Sequence, residues 1–520
     1  MWVTLVVNSL IEGLEGGDDM KDLQRRLSEL PAGLEPLYQR MVENIQPRYH
    51  EQAAQLFRIV DIAASPLTPL ALSFIDEDPK AALYVKHEVF SDDEIKRRHI
   101  LVAKRLKSRC AGLIEISVSK TNLGEQGSVE VLGVNWMYQK VQFLHLTVKE
   151  FLASDKIQNW LATRPSTNIP NIHVRILTCG IRQLQVAACV QFHTNSGLGP
   201  TGFFLYRHLQ PSGIIRLIFF HALQFEKLHH ESQLIYLEAL DNLLQDWVKS
   251  KVSRDWKREK STKEERPPHW TTFRYGDWSE PAQFQSDFAA YLVTIGMTRA
   301  VIDKIHADYN PSLKPGRPLL HYAITTIESE YAINHQDESD RVDPEIVEEL
   351  LKQGCDPNQS FNILRDDDTF SSDFGETNWQ GKTAWQAALM HIWWRFGSVG
   401  STAAARHYEK RSEQAEAMND LRLRWVKSFK LLVEYGADFK VRVLVPEHED
   451  AINFFKMSAL SIFMDAFAGF EHQLVETTRE LLISKGVTEM KQRVSYEDIE
   501  TLSNVKRRTG SRLACCCNPS

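Results

Sequence analysis

Apolar positions recur at helical spacing through most of the chain, and the few departures from that spacing mark its other elements. From Met20 onward, Leu23, Leu27 and Leu30 form one stripe; Pro31 breaks it, and Leu34, Leu37, Tyr38 and Met41 restart it. Glu51 to Ile62 reads as a further helix, Pro66 and Pro69 mark a turn, and LTPLALSFIDED reads as another short helix. Residues 93–109 are helical and basic. The period then shortens: Leu113, Ile114, Ile116 and Val118 suggest a strand, 121–128 a Gly-rich turn, and VEVLGV with VQFLHL a returning strand pair. Helices followed by such a hairpin make a winged-helix unit. Strand spacing ends at QFLHLTVKEFLAS (142–154), where Val148, Phe151 and Leu152 resume helical spacing. The spacing of Thr147 and Glu150 predicts a T-x-x-E capping box, which puts His145 two residues ahead of a helix N-cap. A helix N-terminus offers free N–H groups and partial positive charge to a phosphate. The plain alternative for His145 is a satisfied, half-buried histidine at a junction.

Residues 156–250 read as apolar helices, the last of them aligning Leu237, Leu240, Leu244 and Trp247. Cys179 and Cys189 fit there as small buried hydrophobes. His229 and His230 are adjacent, so on a helix they point apart and predict no shared metal. KSKVSRDWKREKSTKEERPPHW (249–270) interleaves charges and ends in Pro-Pro, the composition of a solvated linker. Beyond it, 284–490 holds weak internal repeats. GRPLLHYAI (316–324), with His321 and Ala323, is similar to the T-P-L-H-x-A opening of an ankyrin unit, and VEELLKQGCDPN (347–358) to its close. GKTAWQAAL (381–389) with FKLLVEYGADFKV (429–441) makes a second unit, and SALSIFM (458–464) with RELLISKG (479–486) a poorer third. FAAYLVTIGMTRAVIDKI (288–305) suits a capping hairpin. Gly354, Gly436 and Gly486 are predicted as left-handed helix ends. They are separated by more than one regular repeat, with polar insertions at 327–343 and 362–380 between them. An unrelated helical domain with chance glycines is the alternative.

A chain of 520 residues exceeds one core, so two to four domains are expected. The net charge of −7 gives no global attraction to nucleic acid, and the basic run Lys96–Arg98 and Lys104–Arg109 reads as a solvated helix face. The seven cysteines show neither zinc-site spacing nor a secreted disulfide framework, which fits a reducing, cytoplasmic setting. There is no G-x-S-x-G, no H-E-x-x-H and no catalytic constellation, so no enzyme activity is expected. The opening MWVTLVVNSLIEGLEGG has neither a membrane span nor a signal peptide; Trp2, Leu5, Val6, Ile11 and Leu14 look like a helix already under way, as though the chain began inside a domain. The tail VKRRTGSRLACCCNPS places Cys515, Cys516 and Cys517 behind a basic patch. Lipidation of these cysteines would give a two-signal membrane anchor; a disordered tail or an unspliced artefact is the favoured reading.

In order, MWVTLVVNSLIEGL, DLQRRLSELPAGLEPLYQRMVENI, AAQLFRIVDIAASPLTPLALSFID, RLKSRCAGLIEI and VQFLHLTVKEFLAS resemble the region after the nucleotide-binding core in fungal NACHT-type STAND ATPases, relatives of NOD-like receptors. The resemblance covers residues 1 to about 155 and, more weakly, the helices to about 250. It implies a tail of the NACHT-associated helical domain at 1–45, a winged-helix-like domain at 46–155 and a helical domain at 156–248. The charged linker (249–283), degenerate ankyrin-like repeats (284–490) and basic tail (491–520) complete a mainly α chain. The resemblance also implies that His145 stands where a family histidine touches the phosphate of bound ADP. A P-loop is missing, however. Gly381–Lys382–Thr383 would need glycine at 376, where the chain has Glu376, and DDDTFSSDFG before it is no strand. ATP or ADP is therefore expected only where an NTPase core is also present. Protein partners are expected through 284–490.

Overall fold

A computed structural model describes residues 7, 10–11, 13–28, 33–84, 90–118, 139–163, 171–193, 211–259, 269–272, 286–324, 342–360, 383–397, 412–446 and 453–495. These residues are mainly helical and divide into two compact units, Met1–Leu243 and Leu244–Ser520.

In the first unit, Val7, Leu10, Ile11 and the stretch 13–15 are helical, and α1 (Met20–Ser28) and α2 (Leu34–Glu43) follow. The core comes next. α3 (His50–Ile62) buries Ala53, Ala54, Phe57 and Ile59 on one face. α4 (Pro69–Leu72) begins with proline, which costs no hydrogen bond at a first turn, and Thr68 caps it by accepting from the Ala71 N–H at 3.0 Å. α5 (Ala81–Tyr84) is a single short turn. α6 (Asp92–Cys110) starts at Ser91, whose hydroxyl accepts from the Glu94 N–H, and turns Ile95, Val102, Leu106 and Cys110 inward. It ends where Ala111 and Gly112 take positive φ, releasing the chain into β1 (Ile114–Val118). β1 pairs antiparallel with β2 (Gln139–Phe143), Ile114 opposite Phe143 and Val118 opposite Gln139. The Gly-rich turn and the strand read at VEVLGV lie outside the described residues.

α7 (Leu146–Leu152) and α8 (Asp155–Ala162) close this core with Val148, Phe151, Leu152, Ile157 and Leu161. Two long helices, α9 (Ile172–His193) and α10 (Pro211–His229), lie against each other and approach closely at Gly180, where an added Cβ would stand 2.8 Å from Ile218 Cγ1. α9 is tied to the turn after α4. Arg175 donates to the Ile75 and Glu77 carbonyls, and the buried Arg182 reaches the Glu77 carboxylate at 3.0 Å.

In α11 (Leu234–Glu259) helix continues through the first eleven positions of the segment read as a linker over 249–283. Lys, Arg and Glu are good helix formers, and i,i+3 pairs such as Lys249–Asp246 at 3.6 Å reinforce them, so a charge-rich composition alone does not end a helix.

The second unit is a two-layer stack of helix pairs. They are α12 (Phe288–Thr294) with α13 (Thr298–Ala307), α14 (Leu319–Ile324) with α15 (Pro344–Lys352), α16 (Ala384–Phe396) with α17 (Ser412–Glu434), and α18 (Ala459–Ala466) with α19 (Gln473–Ser484). Each first helix packs on the first helix of the next pair, and each second helix on the next second helix. Gly354, Gly436 and Gly486 all take left-handed φ, at 84°, 91° and 78°. Each donates its N–H to a carbonyl three residues back, and the following residue donates to one five back, as at Gly354→Leu351 and Cys355→Leu350. This paired closure is the Schellman turn, which only glycine adopts without strain.

The turns bond one another. The Asn358 amide donates to the Gly436 carbonyl at 2.8 Å and accepts from the Asp438 N–H at 2.7 Å, and the Trp385 indole donates to the Asp438 carbonyl. A three-stranded antiparallel sheet in the order β3 (Arg442–Pro446), β4 (Asn453–Ser458), β5 (Lys491–Ser495) adds two strands within the segment read as helical repeats and a third at the start of the segment read as the basic tail. β3 packs on α16 with Val443 and Val445 buried, while Ser458 ends β4 and caps α18.

Candidate functional site

The junction at His145 is built from the side chains of three elements. His145 is itself the N-cap of α7, with extended backbone, and its Nδ1 accepts from the Thr147 N–H at 3.2 Å. The capping box read at Thr147 and Glu150 is therefore displaced. The helix begins at Leu146, one residue after His145, and Thr147 lies in its first turn. The reason is local. An imidazole on extended backbone reaches the N–H two residues on as a Ser or Asp side chain does. The Thr147 hydroxyl is engaged elsewhere, by His145 Nδ1 at 3.0 Å and by the hydroxyl of the buried Tyr38 on α2 at 2.9 Å. The Tyr38 ring packs at a tilt against Phe151, and Lys149 pairs with Asp61 of α3 at 3.3 Å. His145 is exposed, not half-buried. Its Nδ1 is committed to the cap, so Nε2 is the nitrogen available to a ligand.

A concavity between α3, α4 and α6, lined by Gln52, Leu56, Ile75, Arg105 and Arg109, has a volume of about 30 Å³. That admits a water, whereas organic ligands occupy pockets of roughly 300–1,000 Å³.

Gly381 and Lys382 lie outside the described residues, as do Cys515, Cys516 and Cys517. Thr383 shows what its motif does structurally. Its hydroxyl accepts from the Gln386 N–H at 3.1 Å, and the Gln386 side chain accepts from the Thr383 N–H at 2.9 Å, a complete capping box that opens α16. That T-x-x-Q signal was present in the sequence and was not part of its reading. Cys110 and Cys179 are buried and their thiols are pushed well above the ordinary range by desolvation; Cys355 is pushed up to about 12 by the same cause. Thiols this reluctant to ionise are inert as nucleophiles. The Cys189 side chain lies outside the description.

Two features were not foreseen. Arg317 and Lys314 are buried beside α14. Arg317 Nε donates to His321 Nδ1 at 3.1 Å, and its guanidinium lies 4.2 Å from the centre of the Tyr322 ring. The second is a contact of His173 and His221 through their Nδ1 atoms at 2.9 Å, joining α9 and α10. One of these nitrogens must donate and the other accept, so the two rings cannot both be protonated at Nδ1. Burial and the neighbouring His173 lower His221 to about 3, and burial with the nearby His229 lowers His173. Among the described residues no group of three or more His, Cys, Asp or Glu is placed to hold a metal, and no helix is long and apolar enough to cross a membrane.

In the second unit the solvent-facing surface belongs to the second helices. All six residues of α14 are buried, and so are Ala459–Phe463 of α18, so these helices are covered on every side. α13, α15, α17 and α19 keep exposed outer faces that include Asp303, Lys352, Lys427 and Glu480. The first two of them are knit by the Arg299–Glu345 ion pair at 3.0 Å and by a hydrogen bond between His306 Nε2 and the Glu349 carboxylate at 3.1 Å. The Gln353 amide and the His306 ring hold the Glu349 carboxyl below its ordinary value.

Residues 44–196 match the model of a family described as a domain of unknown function (DUF7791), a stretch that runs from the end of α2 to just past α9. No curated protein and no solved structure gives a significant match to the chain.

Proposed function

We propose that the chain is a non-catalytic interaction protein: the regulatory and sensor half of a fungal NACHT–ankyrin STAND-type protein, acting in the cytoplasm and binding protein partners through residues 284–490. The observation that carries this reading is the stack of helix pairs closed by left-handed Gly354, Gly436 and Gly486 and cross-bonded through Asn358. Such a stack buries its core between neighbouring units and presents an extended, ridged exterior, which is a geometry for binding macromolecules rather than small substrates. An ankyrin-like ancestry with long insertions accounts for the order turn, helix, helix, glycine. In the first unit, α3, α4, α6 and the β1–β2 pair have the order of a winged-helix module. Families of the DUF7791 type occur in fungal NACHT-type proteins, which agrees with this reading.

The interaction reading predicts that the full chain captures protein partners, and that the triple variant Glu348→Lys, Lys427→Glu, Glu480→Lys, with Glu348 half-exposed and the other two exposed on three second helices, loses them while keeping its helical circular dichroism. A second reading is that this chain acts as part of a longer nucleotide-dependent switch whose NTPase core lies upstream. The observation favouring it is His145, exposed at a helix N-terminus with Nε2 outward of the cap. Equilibrium dialysis with labelled ATP and ADP separates the two. Saturable binding by the 520-residue chain would sink the first reading, and an upstream in-frame G-x-x-x-x-G-K-[ST] would support the second.

A further inference from the structure

The C-terminal end of α6 meets the start of α3 at two arginines that no carboxylate holds. Over residues 95–114 the chain has seven basic side chains and no acidic one. The carboxylates of α6 itself, Asp92, Asp93 and Glu94, stand in its first turn, about four turns from Arg109. Arg97 and Arg98 share Glu94, and Arg105 takes Asp76 at 2.6 Å. Arg109 and Arg48 are placed differently. Both approach one ring: their guanidinium carbons lie 4.8 and 4.9 Å from the centre of Tyr49, the residue before α3. Arg48 donates from Nε to the Gln46 side chain at 2.8 Å. Arg109 donates from Nε to the Gln52 side chain and from Nη1 to the Ser108 hydroxyl, the latter at 3.1 Å. All of these acceptors are neutral. Glu51, exposed in the first turn of α3, pairs with neither arginine.

Two cations gathered on one ring repel each other, and an anion between them offsets that repulsion. The ring contact restrains both side chains and leaves donors over: both amino groups of Arg48 and Nη2 of Arg109. Arg48 is exposed, so its side chain is free to close on a bound group. Beside the pair lies the concavity of about 30 Å³ that Gln52, Arg105 and Arg109 help to line. It admits a water-sized group and no organic body, so a ligand places only a terminal group there. We propose that Arg48 and Arg109, braced on Tyr49, form a binding site for one phosphate monoester dianion. Its three terminal oxygens and nearly two negative charges match three unengaged amino groups on two guanidiniums. A carboxylate, with one charge and two oxygens, leaves one arginine unmatched. A nucleic-acid backbone fits less well, since each phosphodiester carries one charge and the chain's net charge of −7 opposes a long polyanion. The monoester has two sources, a small soluble phosphate or a phosphorylated protein side chain, and the site reads the group they share. This inference is independent of the interaction reading of residues 284–490.

Phosphorus NMR of inorganic phosphate with the full chain, at fixed ionic strength, tests it. The wild type should shift and broaden the phosphate resonance saturably, with acetate competing at least about tenfold less well. Arg48→Gln with Arg109→Gln should weaken binding about tenfold or more, whereas Arg97→Gln, on the same helix but held by Glu94, should change it less than about twofold. No saturable phosphate binding, acetate competing as well as phosphate, or an Arg97→Gln loss equal to that of the double variant would each overturn the proposal. If the double variant loses its helical circular dichroism, Arg48→Gln alone replaces it, because that side chain is exposed and bonds only Gln46. Undiminished affinity in that variant overturns the site. Fluorescence anisotropy of a labelled glycine-rich phosphoserine peptide then assigns the source. Binding about tenfold tighter than inorganic phosphate supports the site with a phosphorylated side chain as its ligand, and binding no tighter supports it with a small soluble phosphate. An unphosphorylated serine peptide that binds equally well overturns it.

Discussion

Replacing Gly436 with alanine isolates the backbone contribution of the repeat turn. Its φ is 91°, where an L-residue brings Cβ against its own carbonyl, at a cost of about 1–2 kcal/mol. An added Cβ would meet nothing within 4 Å, so no clash adds to that. Gly354 and Gly486 have the same left-handed φ and the same open space. Each alanine variant should therefore lose a similar 1–2 kcal/mol; the loss at Gly486 should add to either of the others, whereas the Gly354 and Gly436 turns are joined through Asn358 and should couple. Asparagine, which tolerates left-handed backbone, should cost clearly less than alanine at each site. For a unit of this size one kcal/mol corresponds to about 2–4 °C in Tm. The assay is thermal and urea unfolding of the full chain followed by tryptophan fluorescence, since Trp385, Trp393 and Trp425 are buried in this unit. Gly213, in the first turn of α10 with no positive φ and with open space, is the control: alanine there should stabilise by about 0.5–1 kcal/mol. Alanine as harmless at 436 as at 213, or asparagine no better than alanine, would refute left-handed closure of the repeats.

Other outcomes follow from the first unit. His145→Ala removes the α7 cap and should cost about 1 kcal/mol, most of it restored by His145→Asn or His145→Ser, as read by urea midpoints. Gly180→Ala drives a Cβ to 2.8 Å from Ile218 Cγ1 and should cost about 1–3 kcal/mol, part of it relieved by Ile218→Ala, which removes that carbon, in a double-variant cycle. His221 is neutral in the folded state and titrates at about 3 there, against 6.5 ordinarily. Its folded pKa is depressed, so the unfolded chain binds the extra proton. Its contribution to stability is full above about pH 6.5 and falls as pH drops toward 3, by up to about 1.4 kcal/mol per pH unit. Thermal melts across that window should therefore steepen downward, and His221→Leu should flatten the slope.

Helices were legible where apolar spacing and punctuation agreed. Leu37, Tyr38, Val148, Phe151 and Leu152 are buried as their spacing demanded, and Gly354, Gly436 and Gly486 close helices as predicted because only glycine fits that turn. Three features were misread or missed, each because a local signal competed with another. A histidine outranked Thr147 as the cap of α7, although preference scales favour threonine. Helix ran on to Glu259 because charged residues with i,i+3 partners sustain it. β3 and β4 hid beside the glycine turn of the second unit, although Val443, Leu444, Val445, Phe454 and Phe455 carry the β-branched and aromatic bias of strands. The His173–His221 contact joins α9 to α10 across 48 residues, a pairing that no periodicity encodes.

Affinity capture with the full chain and with the Glu348→Lys, Lys427→Glu, Glu480→Lys variant, quantified by mass spectrometry, measures the central claim. A defined set of proteins retained by the wild type and lost by the equally folded variant is the predicted result. A chain that retains nothing, or a variant that retains the same set undiminished, would contradict binding through the outer faces of residues 284–490.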